Sequence, residues 1–170
     1  KASEAGIGVV AISTKKRSGD IEHKNTEGYL EEIGASESIK QAFRALPGKP
    51  LLRRSYVKHT KSLVCVKSCK DSQHLSSKPV GQKLEFITAT YDSSRFQLLL
   101  DGKPLPHHEV KVRDSEKELY QYITDSHGTF SIGEEVTGTV MLAAVAITLP
   151  EKPDGLYHSD YASLVLNTMQ

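Results

Sequence analysis

Several features that mark common protein classes are scarce in this sequence. Its 170 residues include no tryptophan and two cysteines, and aromatic residues make up 6% of the chain. A chain of this length can bury a sizeable core, so no disulfide framework is needed. Lysine and arginine number 22 against 21 aspartate and glutamate, so the net charge of +1 provides no field that would gather nucleic acid or an acidic membrane. Nucleic acid is therefore not an expected partner.

Long apolar runs and familiar catalytic motifs are also missing. The longest apolar run, residues 140–147, has the length of a strand and falls far short of the roughly 18 residues of a membrane span. The chain begins at Lys1 without an initiator methionine or a signal-like segment, so we expect an N-terminal piece to have been cleaved or left out. A Gly-rich phosphate loop, a His-Glu-x-x-His pair and a Gly-x-Ser-x-Gly elbow are absent, so an enzyme is not expected.

What the sequence does contain is a repeated pattern of strands and turns, clearest over residues 96–147. A short apolar run ends at Asp101 and Gly102, and later segments alternate between polar and apolar residues with turn-forming residues between them. Similar segments occur on both sides of this stretch. The strands are predicted at residues 7–14, 62–67, 84–87, 98–100, 109–112, 120–122, 129–132, 140–147 and 161–166. Strands at such short spacing favour a mainly β fold, an antiparallel β-sandwich.

Helical signals are confined to a short insert near residues 26–47. Thr26 is predicted to cap a first helix that ends before Gly34, and Ser36 is predicted to cap a second. We expect residues 1–78, with an N-terminal strand, this insert and a further strand, to pack on a sandwich core formed by residues 79–170. The two parts make one compact unit.

Three pieces of the sequence resemble a known family. The segment TEGYLEEIGASESI, followed by SYVKHTKSLVCV, is similar to a helical segment and a Tyr-x-x-x-x-Lys-x-Leu strand of certain bacterial secreted proteins. LLLDGKPLPHHEVKV and TDSHGTFSI are similar to their Gly-Lys-Pro-Leu and Thr-Asp-x-x-Gly-x-Phe core, and LYHSDYASLVL resembles their closing strand. These proteins form the domain of unknown function 4198 family, and the resemblance extends from about residue 9 to residue 166.

The resemblance implies a prealbumin-like sandwich in a periplasmic or secreted protein, and some relatives are linked to nickel or cobalt uptake. It does not imply an enzyme. The leading hypothesis is a non-enzymatic, exported accessory or binding protein whose ligand is a small molecule, a metal ion or a protein partner such as a membrane transport component. Association with transition-metal uptake is the preference that the resemblance implies. The shared turn chemistry specifies a fold better than a function. A carbohydrate-binding or adhesive cell-surface module is the second hypothesis.

The first candidate metal ligands are Cys65 and Cys69, with His74 five residues further on. Thiolate and imidazole ligands this close in sequence suit copper or zinc. If the loop folds back far enough, the two cysteines form a disulfide instead. Two free thiols are the third alternative, and all three stay open on the sequence alone.

The second candidate is the pair His107 and His108, in a loop that neighbouring prolines stiffen. Adjacent histidines can bind a transition metal when a third ligand, here Glu109 or His127, comes near. Adjacent residues on a strand point to opposite faces, so only a loop conformation lets both imidazoles converge. A solvated histidine pair is the alternative.

Two further groups complete the candidates. His158, Ser159 and Asp160 have the residue types of a hydrolytic triad, but consecutive residues cannot form the chain of nucleophile, base and orienting carboxylate. The carbohydrate hypothesis depends on a platform of four tyrosines in or beside predicted strands: Tyr120, Tyr122, Tyr157 and Tyr161. Alternating tyrosines of this kind are more often half-buried sheet residues.

Overall fold

The structure, a computed structural model, describes residues 5–68, 76–88, 94–152 and 155–168. Its elements in chain order are β1 (Gly6–Ser13), β2 (Arg17–Ile21), α1 (His23–Glu32), α2 (Glu37–Arg44), β3 (Leu52–Val66), β4 (Leu84–Thr88), β5 (Arg95–Leu100), β6 (Lys103–Pro104), β7 (Glu109–Arg113), β8 (Leu119–Ile123), β9 (Thr129–Ser131), β10 (Gly138–Thr148) and β11 (Tyr157–Thr168). Within these ranges, neither helix has the length and apolar character that crossing a membrane requires.

The strands of the described residues form two sheets that face each other. In the larger sheet the order is β1, β3, β11, β10, β7, β8, and β2 pairs with β3 past the end of β1. In the smaller sheet the order is β4, β5, β6, with β9 also paired to β5. The predicted mainly β sandwich with a short helical insert is confirmed, and β2 and β6 are strands that the sequence did not predict.

One pairing departs from the antiparallel prediction. β3 and β11 run parallel, from Arg54 opposite Tyr157 to Ser62 opposite Val165. Parallel neighbours need a long crossover connection, and here the chain between them builds the smaller sheet and the strands β7, β8 and β10. β3 is therefore hydrogen-bonded to the closing strand β11 within one sheet.

The hydrophobic core lies between the two sheets, where alternate side chains of each strand point inward. Phe96 and Leu98 of β5 and Val110 of β7 are fully buried there. The ring of Phe130 lies 5.7 Å from that of Phe96 and 5.8 Å from that of Tyr122, measured between centroids. Because Phe130 belongs to the smaller sheet and Tyr122 to the larger, the contact between these two rings joins the sheets.

The two helices cover part of the outer face of the larger sheet. Leu30 of α1 and Phe43 of α2 form a second buried cluster with Tyr157 of β11. Lys111 Nζ donates a hydrogen bond to the backbone carbonyl of Glu32 in the last turn of α1. A cation at this end stabilises the helix because the carbonyl ends of the peptide dipoles point toward it.

The predicted start of the first helix is wrong by about one turn, whereas the start of the second is confirmed. Glu22 is the N-cap of α1, and Thr26 is buried inside the helix, where its hydroxyl donates to the carbonyl of Glu22 at 3.1 Å. A threonine can satisfy its hydroxyl in this way within a helix, so it need not mark the start. Ser36 is the N-cap of α2, and Gly34, with φ of 68°, follows the end of α1 as predicted.

The strand predicted at residues 62–67 begins ten residues earlier, at Leu52, and β3 is 15 residues long. Its inward positions include Ser55, His59 and Lys61, all buried. These polar residues stand where hydrophobic ones are expected, so the alternation that marks a half-buried strand is hidden. His59 belongs to the candidate site, and Ser55 is hydrogen-bonded to a second histidine of that site.

Candidate functional site

The loop with His107 and His108 lies against the turn with His127. The backbone N–H of His107 donates to the carbonyl of Thr124 at 2.9 Å, and that of His108 donates to Thr124 Oγ1 at 2.9 Å. The imidazole of His108, however, turns toward the larger sheet, where its Nε2 lies 3.0 Å from the carbonyl of Val145. Burial lowers the pKa of His108, so the ring stays neutral and donates to that carbonyl. The two adjacent imidazoles therefore do not share one ligand position.

The turn that carries His127 is organised by Asp125. Its carboxylate accepts hydrogen bonds from the Thr129 hydroxyl at 2.6 Å and from the backbone N–H groups of Thr129 and His127 at 2.9 and 2.8 Å. The hydroxyl contact is the main reason that the pKa of Asp125 falls from 3.8 to about 2. His127 itself is held at the surface by the turn, with Nδ1 3.2 Å from the Ser126 hydroxyl.

This geometry predicts the acid sensitivity of the turn. Because the folded-state pKa of Asp125 is depressed, its stabilising contribution is complete above about pH 4 and is lost as the pH falls toward about 2. Titration of the carboxyl carbon by NMR should give a midpoint near 2. Thr129→Val should raise that midpoint toward 3.8, whereas Ser126→Ala, which changes a hydroxyl beside His127 instead, should not. An unshifted wild-type midpoint would contradict the hydrogen-bond account.

The cysteine candidates are only partly within the described residues. Cys65, in β3, is disulfide-bonded, and a disulfide sulfur is no thiolate ligand. Cys69 and His74 lie outside the residues that the structure describes. The metal site proposed for this segment stays a prediction.

Across the described ranges, no group of three or more His, Cys, Asp or Glu side chains is arranged to hold a metal ion as it stands. The nearest approach to such a group lies on the inner face of β3 and β11. There Nε2 of His59 and Nε2 of His158 each lie 3.4 Å from the same oxygen, Oδ1 of Asp160. We call these three residues the His-Asp-His cluster.

The register of the strands explains how the cluster forms. His158 precedes Asp160 by two residues on β11, so both point to one face. His59 of β3 is paired with Ala162, two residues beyond Asp160 in the other direction. The imidazoles thus approach the carboxylate from opposite directions along the strand, which is why the three side chains do not yet surround a single point.

Each imidazole is oriented by a serine on its other nitrogen. Nδ1 of His59 lies 2.9 Å from the hydroxyl of Ser13, and Nδ1 of His158 lies 2.8 Å from that of Ser55. A neutral imidazole carries one proton, so two arrangements are available. With the proton on Nε2 the ring donates to Asp160, and with the proton on Nδ1 it donates to the serine and leaves an Nε2 lone pair beside the carboxylate.

These contacts place serine, histidine and aspartate in one chain, but not in the order of a hydrolytic triad. The serine hydroxyl lies at Nδ1 and the carboxylate at Nε2, the reverse of the arrangement that activates a serine protease. The 3.4 Å contacts to Asp160 are also longer than a charge-assisted hydrogen bond. Ser159 is buried on the opposite face of β11 from His158 and Asp160.

A lysine lies beside the carboxylate of the cluster. Asp160 is 2% exposed, and its second oxygen lies 3.6 Å from Nζ of Lys83, whose side chain is 43% exposed. Beside it, Lys61 and Glu85 form a buried ion pair at 2.7 Å. The cluster is thus closed on the core side and reaches solvent through Lys83 and His158. Its two imidazole nitrogens and its carboxylate oxygen are ligand types that transition-metal ions take in proteins.

The four tyrosines of the carbohydrate hypothesis lie on opposite faces of the larger sheet. Tyr120 and Tyr122 pack against the core between the sheets. Tyr157 is buried against Phe43 of α2, and the hydroxyl of Tyr161 lies 2.7 Å from that of Tyr29. Burial, together with this hydrogen bond, raises the pKa of Tyr161. They therefore form no common platform for a sugar.

A family model matches most of the chain. Residues 1–148 match the family model described as Domain of unknown function (DUF4198). No curated protein and no solved structure matches the chain. The matched residues include His59 and end at the close of β10, so His158 and Asp160 on β11 lie beyond them.

Proposed function

Since the chain belongs to the Domain of unknown function (DUF4198) family, some of whose members are linked to nickel or cobalt uptake, we propose that it is a non-enzymatic, exported protein that binds a transition-metal ion. The observation that carries this proposal is the His-Asp-His cluster, in which two imidazoles meet one buried carboxylate oxygen at 3.4 Å. Imidazole suits nickel, cobalt, copper and zinc alike. The metal is cargo in this proposal.

The chemistry of the cluster supports cation binding. Two ligand atoms of a tetrahedral ion with bonds of about 2.1 Å lie about 3.4 Å apart, the separation of each Nε2 from Asp160 Oδ1. Binding moves the proton of each ring from Nε2 to Nδ1, where Ser13 and Ser55 accept it. Such outer partners fix the ring and raise its affinity for metal.

Because the three side chains of the cluster do not surround one point before an ion binds, we expect the bound ion to be exchangeable. His59 and His158 must close on the ion from opposite sides of Asp160, and this movement reduces the net binding free energy. Lys83, which is half-exposed, can swing away from the carboxylate as the ion enters. An ion held in this way can be passed on, so the proposed partner is a membrane transport component. The disulfide at Cys65 supports export, because such bonds persist in oxidising compartments.

Calorimetric titration of untagged protein with Ni²⁺ and Zn²⁺ tests the proposal. We expect the wild type to bind one ion, His158→Gln to abolish binding, and Ser55→Ala to weaken it by about tenfold or more. His127→Gln is the matched control, since it removes an imidazole that the turn holds at the surface, and it should bind like the wild type. The affinity should also fall in acid, because protons compete with the metal for the imidazoles.

Two results would contradict the proposal. A wild-type protein that binds neither ion would remove the metal function. Binding that survives His158→Gln but is lost in His107→Gln or His127→Gln would move the site to the loops that the sequence predicted.

A further inference from the structure

Along β1 itself the edge of the larger sheet lacks the usual protection against strand pairing. That protection begins only past the end of β1, where the register with β3 shifts by one residue between Ser13–His59 and Arg17–Tyr56, as in a β-bulge, beside the basic residues 15–17. Among the described residues, β1 pairs with β3 on one side and with no strand on the other. Its eight residues, GIGVVAIS, include no charge and no proline. Val10 and Ile12 are 52% and 62% exposed. Natural edge strands usually carry a charge, a proline or a bulge, or are very short.

The hydrogen-bond register shows which groups of β1 are available. The N–H of Thr14 donates to the carbonyl of Lys58 at 2.9 Å, one position past the paired residues Ser13 and His59. In an antiparallel pair, successive residues alternate between bonding the neighbour and facing away. The backbone N–H and C=O groups of Ser13, Ala11 and Val9 therefore point away from β3, along the open edge.

We propose that a second copy of this chain adds to that edge, with β1 of one copy antiparallel to β1 of the other. A two-fold axis at Ala11 places Ala11 opposite Ala11 and Val9 opposite Ser13, and each pair exchanges two hydrogen bonds. In this register every outward-pointing backbone group named above finds a partner. The two larger sheets become one continuous sheet.

The side chains are self-complementary in the same register. Val10 and Ile12 lie on the outer face, and each falls opposite the other residue of the second copy, so the two most exposed apolar side chains of β1 cover each other. Directly opposite apolar pairs of this kind stabilise a sheet. The basic residues 15–17 lie beyond the stretch that pairs across the axis, so no two cations meet within it. This match of the strand with itself favours a second copy over an unrelated strand.

The other edge of the same sheet differs in length. β8 also carries exposed apolar residues, Leu119 and Ile123, but it has five residues against eight in β1. Short edge strands offer few hydrogen bonds to a partner, and shortness is itself a protective device. The pairing is therefore assigned to β1.

Sedimentation equilibrium over a range of protein concentrations tests the proposal. We expect a wild-type dimer. The double variant Val10→Lys/Ile12→Lys, which sets lysine against lysine across the axis, should be monomeric where the wild type is dimeric. The matched control, Val64→Lys/Met141→Lys, adds the same charge at exposed positions of the same face on the interior strands β3 and β10, and it should remain dimeric. Ala11→Pro removes an outward N–H without touching the ladder to β3, and it should also give a monomer.

The oligomeric states of the wild type and the variants distinguish the alternatives. A wild type that stays monomeric at every concentration overturns the proposal and leaves the edge open to another protein. A dimer that survives both edge changes places the contact elsewhere, and a control that dissociates as readily as the edge variant shows a general effect of charge. Circular dichroism of each variant confirms the fold, and if Ala11→Pro is unfolded, the double lysine variant decides.

Discussion

Glu85→Ala should lower the free energy of unfolding by about 3–5 kcal/mol, the cost of leaving one member of a buried ion pair without its partner. Glu85 and Lys61 are both almost fully buried, and their charged atoms lie 2.7 Å apart. Lys61 Nζ has one further acceptor, the carbonyl of Phe86 at 2.9 Å. Without Glu85 the ammonium keeps that one partner in a site closed to water.

The reciprocal change, Lys61→Met, should lower the free energy of unfolding by less. Besides Lys61, the Glu85 carboxylate accepts hydrogen bonds from the backbone N–H groups of Val80, Gly81 and Gln82 at 2.6–3.1 Å. Lys61→Met therefore leaves a carboxylate that still has three donors, in place of an ammonium with one acceptor. Urea denaturation followed by circular dichroism should give a lower free energy of unfolding for Glu85→Ala than for Lys61→Met. Equal losses of stability in the two variants would mean that the backbone donors at residues 80–82 do not stabilise the carboxylate.

Phe130→Ala should also cost about 3–5 kcal/mol, because it removes a large buried side chain and leaves a cavity between the sheets. The ring of Phe130 contacts three others, those of Phe86, Phe96 and Tyr122, with centroids 5.7–6.2 Å away. Phe130→Leu keeps most of the side-chain volume and should lower the free energy of unfolding by clearly less.

The control for this prediction is Leu119→Ala on β8, where the side chain is half-exposed. A substitution at such a surface position should change stability by no more than about 0.5 kcal/mol. The measurement is the same urea denaturation. A loss at Phe130 no larger than at Leu119 would mean that this ring does not join the two sheets.

The fold could be predicted largely because turns and alternation are local signals. The turn at Asp101 and Gly102 and the cap at Ser36 appear in the structure where the sequence places them. The parallel pairing of β3 with β11 has no local signal, since it joins segments about a hundred residues apart. The true start of β3 was hidden for another reason, because Ser55 and His59 occupy its inward positions.

The candidate site could be predicted only in part. The spacing of His158 and Asp160, two residues apart on a strand, places both on one face and is a usable signal. The third member, His59, lies almost a hundred residues earlier and becomes a neighbour only through the parallel pair. Pairs such as His107 and His108 stand out in the sequence, but adjacency does not bring two imidazoles to one ligand position, as the contact of His108 with Val145 shows.

In the proposed site, a metal ion at Nε2 of each imidazole of the His-Asp-His cluster moves the ring proton to Nδ1, and the ring nitrogens report this movement directly. Long-range ¹⁵N–¹H NMR spectra of the histidines, recorded without metal and with diamagnetic Zn²⁺, distinguish the two proton positions on each ring. We predict that His59 and His158 carry the proton on Nε2 without metal and on Nδ1 with it, while His127 is unchanged. Spectra in which the ring-nitrogen signals of His59 and His158 do not change with Zn²⁺, or in which only those of His107 or His127 change, would contradict metal binding at the cluster.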